Sequence, residues 1–147
     1  MNKKFILAGA LLLSVLLIAS ALYAAGTATV TTVQNDRLRS TEYTVTWAAD
    51  ATTAVVPTAS LPDVAGFVIG LEVDPGSPAP TSLYDITLVD RHGVDVGFDD
   101  LLNLSATAPV KVQVYDARWL NSEDLTFTLS NNSVSSAVGV FRLTVRR

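Results

Sequence analysis

Five aspartates, Asp85, Asp90, Asp95, Asp99 and Asp100, crowd into residues 85–100 and are the side chains best suited to chemistry. Calcium takes several carboxylate and carbonyl oxygens, and Asp90-Arg91-His92-Gly93-Val94-Asp95 offers two carboxylates around a glycine turn. The spacing is not that of an EF-hand loop, and Arg91 sits inside it. The alternative is that Asp90 and Asp95 close a hairpin by accepting backbone N–H groups. Carboxylate pairs also serve glycoside hydrolysis. Any acidic chain offers such pairs, however, and 7% aromatic residues do not argue for a sugar-lined cleft. The single histidine, His92, lies in the polar turn Arg91-His92-Gly93, and a triad through it needs a Ser or Thr nucleophile delivered by the fold. A solvated loop residue accounts for it more simply. No residue is therefore assigned a catalytic, cofactor-binding or metal-ligating role, and no cofactor is expected.

Aromatic side chains raise a different chemistry, the stacking of sugars. Trp47 continues the alternation of Tyr43 and Val45, which points to core packing, whereas Tyr115 and Trp119 flank Asp116-Ala117-Arg118 and are candidates for an exposed glycan platform. The sequons Asn103-Leu104-Ser105 and Asn131-Asn132-Ser133 matter only in a host that glycosylates them. Arg142, Arg146 and Arg147 fit the solvent face of a last strand.

The elements that must position these residues follow from a chain of 147 residues, room for one domain. It contains no cysteine, which excludes a disulfide framework, thiolate metal sites and thiol catalysis. With Lys3 and Lys4 set aside, eight of the ten basic residues remain against 14 acidic ones, a net of −6. So acidic a surface repels phosphate backbones, and nucleic acid is not an expected partner.

Residues 1–25 read as a leader. Lys3 and Lys4 precede Phe5 to Ala25, an uncharged run ending in small residues, the pattern of a secretory signal peptide. Cleavage after Ala21, Ala24 or Ala25 fits, and the absence of cysteine excludes a lipoprotein anchor. The rival reading keeps the segment as a membrane anchor, since the run is long enough to span a bilayer and the lysines would hold its start in the cytoplasm. Both readings export residues 26–147.

From Thr27 the texture changes to short runs of period-two alternation separated by turn residues. Inward sets are expected at Tyr43/Val45/Trp47, Phe67/Ile69/Leu71/Val73, Tyr84/Ile86/Leu88, Val110/Val112/Val114, Leu125/Phe127/Leu129 and Phe141/Leu143/Val145. Thr27 to Val33 and Ala54 to Pro57 are weaker strands, and Asp99 to Leu104 hints at a single helical turn. The three prolines of Asp74–Pro80 break a ladder because they lack the donor, and Asn131-Asn132-Ser133 suits a left-handed turn. One polar and one apolar face per strand predicts an all-β fold, a single antiparallel β-sandwich of jelly-roll or immunoglobulin-like type burying Trp47, Phe67, Tyr84 and Phe127.

Within that pattern, Pro80-Thr81 followed by Tyr84-Asp85-Ile86-Thr87-Leu88, then Asp90, Gly93 and Asp95, resembles a motif of small phage-associated structural proteins. Thr46-Trp47 matches their early Thr-Trp strand, and Leu125–Asn131 with Val140–Val145 matches their closing strands. The resemblance spans about Tyr43 to Arg147 and implies a virion or particle-surface component that brings no catalytic residues. The leader departs from it and shifts the expectation toward a membrane-containing virus or a cell-surface coat or filament. The expected partners are further copies of the chain or other structural proteins; in the anchor reading residues 5–25 also engage the membrane. Thr27 to Val33 is the segment expected to dock or exchange; a glycan-binding or adhesion module is the alternative function.

Overall fold

The computed structural model describes residues 24–97, 99–113 and 119–147. The expected leader, apart from its last two residues, lies outside them, as do Val114, Tyr115, Asp116, Ala117 and Arg118. The described chain is all-β: β1 (Thr27–Asn35), β2 (Ser40–Ala48), β3 (Ala59–Pro75), β4 (Asp85–Val89), β5 (Val110–Gln113), β6 (Trp119–Ser130) and β7 (Val138–Arg146). One 3-10 turn, Asp99–Leu101, falls where a single turn of helix was expected. Every pairing is antiparallel, and the seven strands form one hydrogen-bonded sheet in the order β1-β2-β7-β3-β6-β4, with β5 on β3.

Period-two alternation explains most of the strands. Tyr43, Val45 and Trp47 of β2, Ile86 and Leu88 of β4, Leu125, Phe127 and Leu129 of β6, and Phe141, Leu143 and Val145 of β7 are all buried. They belong to a single apolar cluster. Ala54–Pro57 is not a strand: Ala54 takes a left-handed φ of 60°, which a ladder does not accept, and only Ala54 and Val56 turn inward.

β3 departs most from simple alternation. Its buried residues run Ala59, Leu61, then Val64 and Val68, then Leu71 and Val73. Register shifts fall between Leu61 and Val64, between Val64 and Gly66, and between Val68 and Gly70. The first and the last add a residue to β3 and turn its following side chains to the other face, while the middle one adds a residue to β6. Phe67, expected inside with Ile69, Leu71 and Val73, is therefore 44% exposed and Ile69 is half-buried, while Val68 is fully buried. Between its shifts β3 changes neighbours: Ala59–Phe67 pairs with β6, Phe67–Pro75 with β7 and Gly70–Val73 with β5.

Side chains of β6 and β2 satisfy the bulged backbone. Asp63, at φ 50°, donates its N–H to Asp124 Oδ1 at 3.0 Å, and its carbonyl accepts the Tyr43 hydroxyl at 3.1 Å. Without these partners two displaced ladder groups would be left without protein hydrogen bonds. Gly66, at φ 123°, lies so close to the Arg146 backbone that a Cβ would collide with it.

Two ring contacts connect strands that do not pair. Phe127 of β6 and Phe141 of β7 have centroids 5.7 Å apart, and Trp47 of β2 lies 6.4 Å from Tyr84, the residue before β4. Trp47 stands opposite Gly139 of β7, and a Cβ there would run into the indole.

Candidate functional site

Three of the five aspartates, Asp85, Asp90 and Asp95, serve the backbone. Asp90 Oδ1 accepts the N–H groups of His92 at 2.8 Å and Val94 at 2.9 Å, closing the turn after β4. Asp95 Oδ1 accepts from Leu88 at 3.0 Å and Gly97 at 2.9 Å, and Asp85 Oδ1 accepts from Asn103 at 2.7 Å. No group of three or more acidic or histidine side chains converges on a metal position among the described residues. Exposed His92 accepts only from Arg91 Nε, at 3.1 Å. This geometry is that of turns and caps, and among the described residues no Ser or Thr hydroxyl is hydrogen-bonded to His92.

The two tryptophans separate. Trp47 is buried, whereas Trp119 is 55% exposed and packs edge-on against Phe67, with centroids 4.8 Å apart across the β3–β6 pair. The aromatic pair is thus Trp119 with Phe67; Tyr115 lies outside the described residues. The bulges of β3 deliver Phe67 to the surface, and no sequence signal marks them except Pro62 and the broken alternation around Asp63. Arg142 reaches Glu72 at 3.1 Å, as does Lys111, forming an ion ladder across β7, β3 and β5. Arg146 and Arg147 are exposed, as expected of the end of the last strand.

A shallow, mostly apolar hollow of about 510 Å³ lies where β1, β2 and β7 meet the end of β3, with Thr29, Thr46, Asp74 and Val140 among its lining residues. Near it two buried polar atoms, Trp47 Nε1 and the Tyr84 hydroxyl, have no hydrogen-bond partner among the described residues. Burial, with a smaller push from the Asp74 carboxylate, raises the Tyr84 phenol to about 12. Neither group is a candidate for proton transfer near neutral pH.

The sheet's edges differ sharply. Beside β4, Asp95, Val96 and Leu104 take up outward-facing backbone groups. Leu88 donates to Asp95 Oδ1 and accepts from Val96 N–H at 2.7 Å, and Tyr84 C=O accepts from Leu104 N–H at 2.8 Å. Val89 bridges Asp95, and Tyr84 bridges Leu104. β5 is four residues long and carries Lys111. Short length, charge and a covering loop are the usual protections of an edge.

β1 has none of them. Its nine residues, Thr-Ala-Thr-Val-Thr-Thr-Val-Gln-Asn, contain no charge and no proline, and they pair with β2 in unbroken register. No described residue hydrogen-bonds to the other side of β1. Val33 is 61% exposed, and Leu38 of the following turn is 63% exposed. Just before the strand, the Ala24 carbonyl accepts the Ala51 N–H at 3.1 Å, and beside it Asp50 Oδ1 accepts the N–H groups of Thr52 and Thr53, both at 2.7 Å. Those two backbone bonds, led by Thr53, hold its carboxyl below the usual carboxylate range, and a bond from the Gly26 backbone adds to them. Compared with protein-family models, with curated proteins and with solved structures, the chain matches none.

Proposed function

We propose that the chain is a non-enzymatic structural subunit of an exported assembly, a cell-surface structure or a virion, and that it joins that assembly through a sheet edge. The observation carrying this reading is the contrast between a covered β4 edge and a bare, uncharged β1 edge of nine residues. An unprotected edge offers a row of donors and acceptors to another strand. We further infer that the sheet bends at β3 and closes on itself as a two-layer β-sandwich, which accounts for the Trp47–Tyr84 and Phe127–Phe141 contacts between strands that do not pair. The leader-like start and the resemblance to phage-associated structural proteins support export and a particle-surface role. The experiment is mass measurement of the purified exported protein over a concentration series, with fractionation of envelopes or particles. Association, or co-fractionation with either structure, is expected. A strict monomer absent from both contradicts the reading.

A second reading, a glycan-binding or adhesion module, is favoured by one feature, the exposed Phe67–Trp119 pair. Exposed aromatic rings offer apolar faces on which sugars stack. Silence on a glycan array, together with unchanged adhesion by Trp119→Ala, disposes of it.

A further inference from the structure

We infer that β1 pairs with β1 of a second copy of this chain, antiparallel and about a two-fold axis at Thr31, so that two sheets continue into one. This deepens the assembly reading and rests on it. Full overlap of Thr27–Asn35 with itself sets Thr31 opposite Thr31, Thr29 opposite Val33 and Thr27 opposite Asn35. The absence of charge from Thr27 to Asn35 matters most for a homotypic pair, because identical charges near the axis would face each other and repel. Here the axis carries Thr against Thr, a favourable cross-strand pair. The β1–β2 register has no bulge to turn the edge away, and a two-fold arrangement makes the contact self-limiting rather than filament-forming. Val33, exposed in the single chain, gains a neighbour in Thr29 of the second copy.

β4 is a poor alternative acceptor, because the outward groups of Tyr84 and Leu88 are already engaged by Leu104, Asp95 and Val96. Of the described edges, only β1 combines length, neutrality and open backbone. Its own copy is the strand that matches it in length and overlaps it in full.

Because the chain has no cysteine, a single introduced thiol reports the register directly. Residues directly opposite in an antiparallel pair have Cα atoms about 4.5–5.5 Å apart, within reach of a disulfide, and a residue meets itself only on the axis. Thr29→Cys, Thr31→Cys, Val33→Cys and, as an off-strand control, Ser135→Cys are each made in the full chain. Each variant is purified from the exported fraction and treated with mild oxidant at low concentration. Thr31→Cys is expected to form a covalent dimer faster than the other three, with an unchanged circular-dichroism spectrum. Thr31→Lys, which sets two ammonium groups across the axis, is expected to weaken association roughly tenfold or more. Faster linking at Thr29 or Val33 overturns the centred register. Association that persists in Thr31→Lys, with no preferential linking along β1, overturns the pairing while leaving assembly through another surface standing. A monomer that joins no envelope or particle removes the assembly reading as well.

Discussion

The indole of Trp47 lies 6.4 Å from the phenol ring of Tyr84, although β2 and β4 stand four places apart in the sheet order. In a flat sheet, four strand spacings amount to roughly 19 Å. The contact therefore brings β2 and the start of β4 closer than a flat sheet would allow. Gly139 makes room for it, because the indole occupies the space a Cβ would need. Gly139→Ala is expected to cost about 1–3 kcal/mol through forced repacking. Urea unfolding followed by tryptophan fluorescence measures the loss, and Gly70→Ala, where an added Cβ meets nothing closer than 3.8 Å, is the control.

Tyr84 should tolerate loss of its hydroxyl but not of its ring. The hydroxyl is buried with no partner among the described residues, so Tyr84→Phe is expected to change stability by less than about 1 kcal/mol, in either direction. Tyr84→Ala, which empties a fully buried site, is expected to cost roughly 3 kcal/mol or more. Chemical denaturation of the two variants side by side separates these effects.

Alkaline stability follows from the same residue. Its phenol is raised to about 12 in the folded chain against a reference value of 10.0, so it favours the folded state below pH 10. That contribution fades as pH rises from 10 toward 12. Thermal melts of the native chain and Tyr84→Phe between pH 9 and about 12 are expected to show the smaller alkaline decline in the variant.

Acid stability depends in part on Asp50. Its carboxyl is lowered from 3.8, chiefly by the N–H groups of Thr53 and Thr52, so it supports the fold above that value and loses its effect as pH falls through the lowered one. Asp50→Ala is expected to melt earlier than the native chain at neutral pH, and the gap is expected to close in strong acid.

Calcium should be irrelevant to the hairpin after β4. Asp90 Oδ1 and Asp95 Oδ1 each accept two backbone N–H groups. EDTA and added calcium are both expected to leave the melting temperature unchanged, while Asp95→Ala, which frees the Leu88 and Gly97 donors, lowers it.

Much of this architecture is legible in the residues. Period two places the inward sides of β2, β4, β7 and the Leu125–Leu129 part of β6, because each keeps one phase there, whereas β6 changes phase between Leu120 and Leu125. Trp47 is legible as a core residue, and Asp90 and Asp95 as turn closers, because local spacing alone decides them. Phe67 is not legible in the same way: its direction depends on an extra residue upstream in β3, held at Asp63 by Asp124 of β6 and Tyr43 of β2. The difference between the β1 and β4 edges is also hidden, since β4 is covered by Leu104 and Asp95, whose positions only the tertiary fold supplies. The Thr27 to Val33 run could be read as a strand suited to docking, but its place at the end of the sheet order could not.

Hydrogen–deuterium exchange over Thr27–Asn35, measured on the exported chain at low and high protein concentration, tests the role of the β1 edge most directly. The outward amides of β1 are expected to exchange quickly when dilute and to gain protection as concentration rises, while those of β6 and β7 stay constant. Exchange in β1 that ignores concentration, in samples shown by mass to associate, contradicts it.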